Sequence, residues 1–283
     1  MFDRLQLTLR MITFEHTVFA LPFALMAALL AQGGLPGIWK VFWILIAMVG
    51  ARSAAMTFNR LADRDLDRAN PRTRTRALPS GRLSTGFAIA FTVAMSLLFV
   101  VAAAMLNRLC LYLSIPTLLV LFAYSYTKRF TLWSHIFLGF SIGLAPLGAW
   151  IAIRGDIALP PILIGIAVML WIAGFDLIYA LQDIDFDRRA RLFSIPARWG
   201  ASWALRLSSL LHVAAVAVLI SLVQLTGMGA VAYSGIAIVA AILYWEHRLV
   251  EPGDLSRVNL AFFTLNGYVS LLLLAAFATD ILS

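Results

Sequence analysis

The chain has little charge, almost no cysteine and no extended polar stretch. Only 13% of its 283 residues are Asp, Glu, Lys or Arg, against about 25% in an ordinary soluble protein. With 62% hydrophobic residues, the composition excludes a soluble globule. It also excludes a disordered chain, which needs the opposite balance. The lone Cys110 rules out a disulfide scaffold. No interval of ordinary composition is long enough for a separate soluble domain, so residues 1–283 read as one polytopic membrane domain. There is no Gly-rich phosphate loop, no HExxH motif and no Ser/His/Asp grouping. The four histidines, His16, His135, His212 and His247, lie on four separate segments without metal-ligand spacing and read as structural.

What is present is apolar length. The mean hydropathy is +0.90, and a membrane span takes about 20 apolar residues. Nine candidate spans follow, near 13–33, 39–60, 87–106, 109–126, 132–153, 160–182, 203–225, 228–247 and 258–280. The first is too long for the apolar core of a signal peptide and reads as retained. The net charge of +8 is the positive-inside bias of a membrane protein rather than a nucleic-acid surface. Arg4 and Arg10, Arg64 to Arg82, Lys128 and Arg129, Arg188 to Arg198, and Arg248 and Arg257 all fall on one side. The opposite side holds little more than Lys40, Arg108 and Arg154. This count places the N-terminus in the cytoplasm.

The acids are concentrated. Of 14 acidic residues, seven occupy two short stretches: Asp63, Asp65 and Asp67, then Asp176, Asp183, Asp185 and Asp187. Each stretch sits at or just beyond the cytoplasmic end of a span. An aspartate within the bilayer costs roughly 2.5–3.5 kcal/mol on insertion scales, so such a cluster requires a positive ligand. The stretches also align with each other at an offset of 120 residues, Asn59-x-x-x-Asp63-x-x-x-Asp67 on Tyr179-x-x-x-Asp183-x-x-x-Asp187, which predicts an internal pseudo-repeat. Spacing of four residues puts each trio on one helix face. Two such oxygen-bearing ridges suit Mg²⁺, which takes one or two carboxylates and completes its shell with water and substrate phosphates. Ordinary salt bridges to the neighbouring arginines are the alternative. Arg72, Arg76, Lys128 and Arg198 lie on the same side and suit phosphate oxygens. Arg52 stands two helical turns before Asn59 and needs an anionic partner, either a substrate carboxylate or Asp176.

These motifs resemble the UbiA superfamily of intramembrane prenyltransferases. The likeness extends to Asn70-Pro-Arg-Thr73 with Arg76, Leu78-Pro-Ser-Gly81, Tyr124-Ser-Tyr-Thr-Lys-Arg129 and Asp176-Leu-Ile-Tyr179. The wording is closest to the 4-hydroxybenzoate polyprenyltransferase branch. Phe14-Glu-His-Thr17, Ala51-Arg-Ser-Ala-Ala-Met56 and Ser194-Ile-Pro-Ala-Arg198 resemble a bacterial sub-branch, some of whose members are assigned to futalosine-route menaquinone synthesis. Ala77 departs from the proline that many members carry there.

The resemblance implies an all-α membrane fold of about nine helices around a central cavity, in the bacterial inner membrane with its active site facing the cytoplasm. It implies Mg²⁺ as cofactor, and a polyprenyl diphosphate and an aromatic acceptor as partners. Asn59, Asp63, Asp67, Asp183 and Asp187 match metal–diphosphate positions. Arg72, Arg76 and Lys128 match diphosphate contacts, and Arg52 an acceptor-carboxylate contact. Tyr124, Tyr179, Asp176 and Arg198 join the substrate-binding set, and Asp183 or Asp185 is the candidate base for the ring proton. The acceptor is 4-hydroxybenzoate or the aromatic precursor of the futalosine route. A small-molecule transporter is the rival outside enzymology, but its acids belong near the midplane of the bilayer.

Overall fold

The computed structural model describes Leu7 and residues 17–283, with the side chains of Thr17 and Val18 outside that description. Arg4, Arg10, His16 and most of the Phe14–Thr17 motif therefore lie outside the described residues. Helices run α1 (Thr17–Gln32), α2 (Ile38–Ala62), α3 (Arg64–Ala69), α4 (Thr85–Leu106), α5 (Arg108–Thr127), α6 (Ser134–Arg154) and α7 (Leu159–Ala180). A 3-10 turn at Leu181–Asp183 leads to α8 (Ile184–Arg189), followed by α9 (Ile195–Trp199), α10 (Ala201–Thr226) and α11 (Ala230–Leu249). A π-helical segment, Leu260–Leu265, opens into α12 (Asn266–Leu282). Among the described residues the only β-type pairing is one isolated bridge, Glu251 with Asp254.

Eight of these stretches are long and apolar enough to cross a membrane, the fifth continuing from α7 through α8 as Leu159–Arg189. They match eight of the nine expected spans to within a few residues. The remaining span, expected at 13–33, is described only from Thr17 onward, as the shorter apolar helix α1. Helices are the natural solution here, because a lipid environment requires every backbone N–H and C=O to be satisfied within the segment.

The chain forms two compact units, one built on Gly37–Tyr126 together with Leu7 and the other on Val18–Pro36 and Thr127–Ser283. In the first, α2 packs along α4. Gly50 permits the close approach, since a Cβ there would meet Phe99 N at 2.8 Å and Met95 O at 3.0 Å. Phe58 of α2 stacks on Phe122 of α5, with ring centroids 4.4 Å apart. The loop after α3 folds back on its own small core, Ala77, Leu78 and Leu83, against Ala88, Met56 and Leu61.

In the second unit α7 is the enclosed element. Within Leu159–Arg189, 61% of the apolar window is buried, against 17% for α4 and for α5, many of whose apolar side chains are exposed. Helix α6 approaches α7 through Gly139 over the Met169 backbone and Gly143 over Gly165. Small residues are the usual means of close helix packing in membranes. On another side α10 meets α7, with Ser208 Oγ donating to Gly174 O at 2.6 Å. Trp171 Nε1 donates to Asn266 Oδ1 at 2.7 Å, and Asn266 Nδ2 donates to Glu246 Oε1 at 3.1 Å, so polar side chains of α7, α11 and α12 form one buried chain.

The two glycine environments on α6 give a matched test. A Cβ at Gly139 would overlap the Met169 carbonyl, whereas one at Gly148 meets nothing within 4 Å. Gly139→Ala should destabilise the detergent-solubilised protein by about 1–3 kcal/mol, the usual cost of overpacking, lowering its thermal midpoint. Gly148→Ala should leave the midpoint unchanged or raise it, as helix propensity favours alanine. Equal midpoints for the Gly139 variant and the parent would refute the close crossing.

Candidate active site

Helix α2 ends at Asp63, whose φ of −96° and ψ of 5° fall in the sparsely populated bridge region, and α3 starts at the next residue. The helical bonds nevertheless run through this break: Asp63 N–H donates to Asn59 O at 2.9 Å and Asp67 N–H to Asp63 O at 2.7 Å. The expected ridge thus forms, with Asn59 Nδ2 lying 3.4 Å from Asp63 Oδ2. Asp63 and Asp67 are buried, at 3% and 7% exposure. Asp65 points off the ridge and is exposed.

The arginine-rich loop closes onto this ridge. Asn70 Oδ1 accepts from Arg72 N–H at 2.9 Å, while its carbonyl accepts from Thr73 and Arg74. Thr73 Oγ1 then donates to Asp67 O at 3.0 Å. Arg76 Nη1 reaches Asp67 Oδ1 at 2.7 Å. Asp67 Oδ2 is buried without a hydrogen-bond partner, with Arg60 Nη1 3.9 Å away. Asp63, Asp67, Arg76 and Tyr124 all lie within electrostatic reach of Arg60. Arg72 is exposed in the loop, and Arg52 sits half-buried in α2. Arg60 is a site residue that charge counting along the sequence assigns to the positive-inside bias. Its seven-residue spacing to Asp67, the same spacing that singles out Arg52, is the signal that places it on the ridge.

The second unit repeats the device. Asp183 has φ −108° and ψ 4°, nearly the Asp63 conformation, and joins the 3-10 turn to α8. Asp187 is hydrogen-bonded by Ser194 and has Lys128, Asp183 and His135 within electrostatic reach. The following loop is tied down by Leu192 N–H to Asp187 O at 2.9 Å and Phe193 N–H to Lys128 O at 2.7 Å. Asp183 and Asp187 are half-buried, while Asp185 is exposed. Tyr179 packs its ring on Phe262, centroids 4.2 Å apart. Arg198 ends α9 exposed and forms no ion pair among the described residues. Asp176 Oδ2 lies 2.7 Å from His135 Nδ1, a contact across 41 residues that no local spacing signals.

Among the described residues, no three His, Cys, Asp or Glu side chains converge closely enough to hold a metal ion by themselves. Mg²⁺ needs no such cage, since substrate phosphates and water complete its octahedron. The ridge residues fit it: they offer only oxygen donors, and the buried, donor-free Asp67 Oδ2 is a position that a hard cation would satisfy.

Fold and motifs together define an all-helical, multi-pass membrane protein with aspartates at two similar helix breaks. A profile of the UbiA prenyltransferase family matches residues 20–268, and the chain belongs to that family. It is a membrane prenyltransferase. The 4-hydroxybenzoate octaprenyltransferase of Aromatoleum aromaticum is 29% identical over 98% of this chain and 95% of that one. The apo structure of a UbiA homologue from Aeropyrum pernix K1 superposes with a TM-score of 0.86 at 38% identity, over 95% of this chain and 98% of that one. A UbiA homologue from Archaeoglobus fulgidus bound to DMAPP and Mg²⁺ shares the fold, with a TM-score of 0.72 at 20% identity over 97% of this chain and 98% of that one.

Loop closure onto the first ridge depends on Asn70. Asn70→Ala removes the acceptor for Arg72 N–H, a bond worth about 1 kcal/mol. Trypsin should then cut after Arg72 or Arg74 about fivefold faster, read by fragment mass on solubilised protein. An unchanged cutting rate would show that Asn70 does not hold the loop.

Proposed function

We propose that the protein transfers a polyprenyl group from a polyprenyl diphosphate to the ring of an aromatic acid, 4-hydroxybenzoate being the acceptor of choice. The observation that carries this reading is the matched pair of helix breaks at Asp63 and Asp183, with Arg60 and Arg76 near the first and Lys128 near the second. The names and bound ligands of the relatives support it. In this reading residues 1–283 act as one polytopic domain of a bacterial inner membrane. The arginine-rich side, with both ridges, faces the cytoplasm.

Asn59, Asp63 and Asp67 on one ridge, and Asp183 and Asp187 on the other, would hold Mg²⁺, which when bound neutralises diphosphate charge. Arg72, Arg76 and Lys128 bind the remaining phosphate oxygens. Arg76 does so while keeping its bond to Asp67, since a guanidinium has five N–H donors. Holding the diphosphate in this way stabilises charge as it develops on the leaving group. The allylic C–O bond breaks with its electron pair going to the diphosphate. A ring carbon of the acceptor, oriented by Arg52 through its carboxylate, forms the new C–C bond. The ring proton then passes to a carboxylate. Asp183 is favoured over the exposed Asp185 because it lies half-buried on the ridge. Apolar helices keep water from the allylic cation.

The futalosine-route acceptor is the second reading, supported by the likeness of the Ala51–Met56 and Ser194–Arg198 segments to that sub-branch. The deciding experiment supplies labelled 4-hydroxybenzoate and mixed polyprenyl diphosphates to membranes containing the protein. A lipid-soluble product that disappears with EDTA and returns with Mg²⁺ is expected. Asp63→Ala and Asp187→Ala should each reduce turnover by at least about 100-fold, the scale of losing an electrostatic transition-state contact, with membrane insertion intact. Normal turnover in either would remove that ridge from the mechanism. Arg52→Ala should raise the acceptor KM about tenfold or more, as expected for a charged hydrogen bond, with prenyl diphosphate binding unchanged. An unaltered acceptor KM would deny Arg52 its carboxylate role. No product from 4-hydroxybenzoate, with Mg²⁺-dependent prenyl diphosphate binding retained, would favour the futalosine-route acceptor.

A further inference from the structure

The stretch of α7 from Trp171 to Ile178 is buried at every position except Asp176. Asp176 therefore marks where the enclosed helix first opens, on the face that continues through Tyr179 to Asp183. A carboxylate at this depth requires a donor, and His135 of α6 supplies one at 2.7 Å. The two partners are unequally enclosed: the His135 side chain is 6% exposed and that of Asp176 21%. His135 Nε2 is buried without a hydrogen-bond partner, so the imidazole's hydrogen bonding is committed to Asp176. Asp176 Oδ1 takes no protein hydrogen bond among the described residues. An ion pair serving only the fold would enclose both members. Here the acid is presented and the histidine stands behind it.

We propose that His135 is a positioning residue for the acceptor: its Nδ1–H fixes Asp176 Oδ2 so that Oδ1 accepts a hydrogen bond from the acceptor's ring hydroxyl. The chemistry selects a hydroxyl. A carboxylate repels the acid group of the acceptor and the diphosphate, but it attracts a phenolic O–H. Ring attack on an allylic cation at the carbon next to the hydroxyl-bearing one places positive charge on the hydroxyl-bearing carbon and its oxygen. An anion hydrogen-bonded to that hydroxyl is stabilising in the transition state more than in the ground state. His135 also lies within electrostatic reach of Asp187, which has Lys128 and Asp183 near it, so the pair adjoins the second aspartate stretch. This inference deepens the proposed function and rests on its phenolic acceptor.

The test compares the parent, His135→Ala and His135→Asn, where the asparagine amide can replace the Nδ1–H donor. Each is assayed with 4-hydroxybenzoate and with 4-methoxybenzoate, which lacks the donor hydrogen, and for Mg²⁺-dependent binding of prenyl diphosphate. His135→Ala should lose about 10–100-fold in kcat/KM for the hydroxy acid, the scale of a hydrogen bond to a charged group. It should lose little for the methoxy acid, so that discrimination between the two collapses. His135→Asn should restore most of the loss, and prenyl diphosphate binding should be the same in all three. Equal losses on both acids together with weakened prenyl diphosphate binding would reduce His135 to a structural role, and unchanged kcat/KM in His135→Ala would refute its role outright. A parent inactive towards phenolic acids altogether would overturn the acceptor reading and this proposal with it. A parent active while His135→Ala matches it overturns this proposal alone.

Discussion

The backbone hydrogen bonds that carry the first site helix through Asp63 are the constraint on which the rest depends. Carboxylates are costly within a bilayer, and unsatisfied backbone groups are costly there as well. At Asp63 the chain meets both demands by breaking the helix only in dihedral angle. Asp63 leaves helical φ/ψ, yet the bonds Asp63 N–H to Asn59 O and Asp67 N–H to Asp63 O persist. Three oxygen-bearing side chains therefore stay on one face at the end of an apolar span, with the backbone still paired. Asp183 repeats the same dihedral break at the corresponding place in the second unit.

A ridge of this kind is useful only if its helix cannot shift. In the second unit three helices fix α7 by different means. Helix α6 approaches through glycine, which brings backbone against backbone. Helix α10 contributes Ser208 to Gly174 O, and His212 Nε2 lies 3.2 Å from Trp171 O. His247 of α11 in turn lies 3.0 Å from His212 Nδ1. Helix α12 contributes Asn266, which links Trp171 to Glu246. Around these bonds Phe19, Phe23, Trp171, Phe175 and Phe262 form edge-on and tilted ring contacts with centroids 5.0–6.2 Å apart. Hydrogen bonds inside an apolar core set register, because a displaced partner has no water to replace it.

Much of this was legible in the sequence, because the strongest signals are local. Apolar length placed eight spans within a few residues of the observed helices. Four-residue spacing placed Asn59, Asp63 and Asp67 on one face, and the offset alignment pointed to Asp183, whose backbone dihedrals are close to those of Asp63. What escaped depends on contacts remote in sequence or on two competing meanings of one residue. Arg60 reads as a positive-inside charge but lies enclosed among Asp63, Asp67, Arg76 and Tyr124. His135 reads as a structural histidine because nothing within four residues marks it, while its partner stands 41 positions away. The dihedral break at each central aspartate was also hidden, since Asn-x-x-x-Asp-x-x-x-Asp is equally compatible with an unbroken helix.

The two substrates place different demands on these residues. In the proposed reaction the diphosphate asks for concentrated positive charge, which Arg60 and Arg76 beside Asp67 and Lys128 near Asp187 would supply without regard to the group being prenylated. An acceptor asks for recognition of a few polar atoms on an otherwise apolar ring. In the proposed function Arg52 would offer a cation for a carboxylate, and Asp176, oriented by His135, an anion for a hydroxyl. Opposite charges of this kind admit a ring that carries both an acid and a donor, and disfavour one that carries two acids or none. On the proposed reading, acceptor choice would rest on Arg52 and Asp176 rather than on the aspartates proposed to hold the diphosphate.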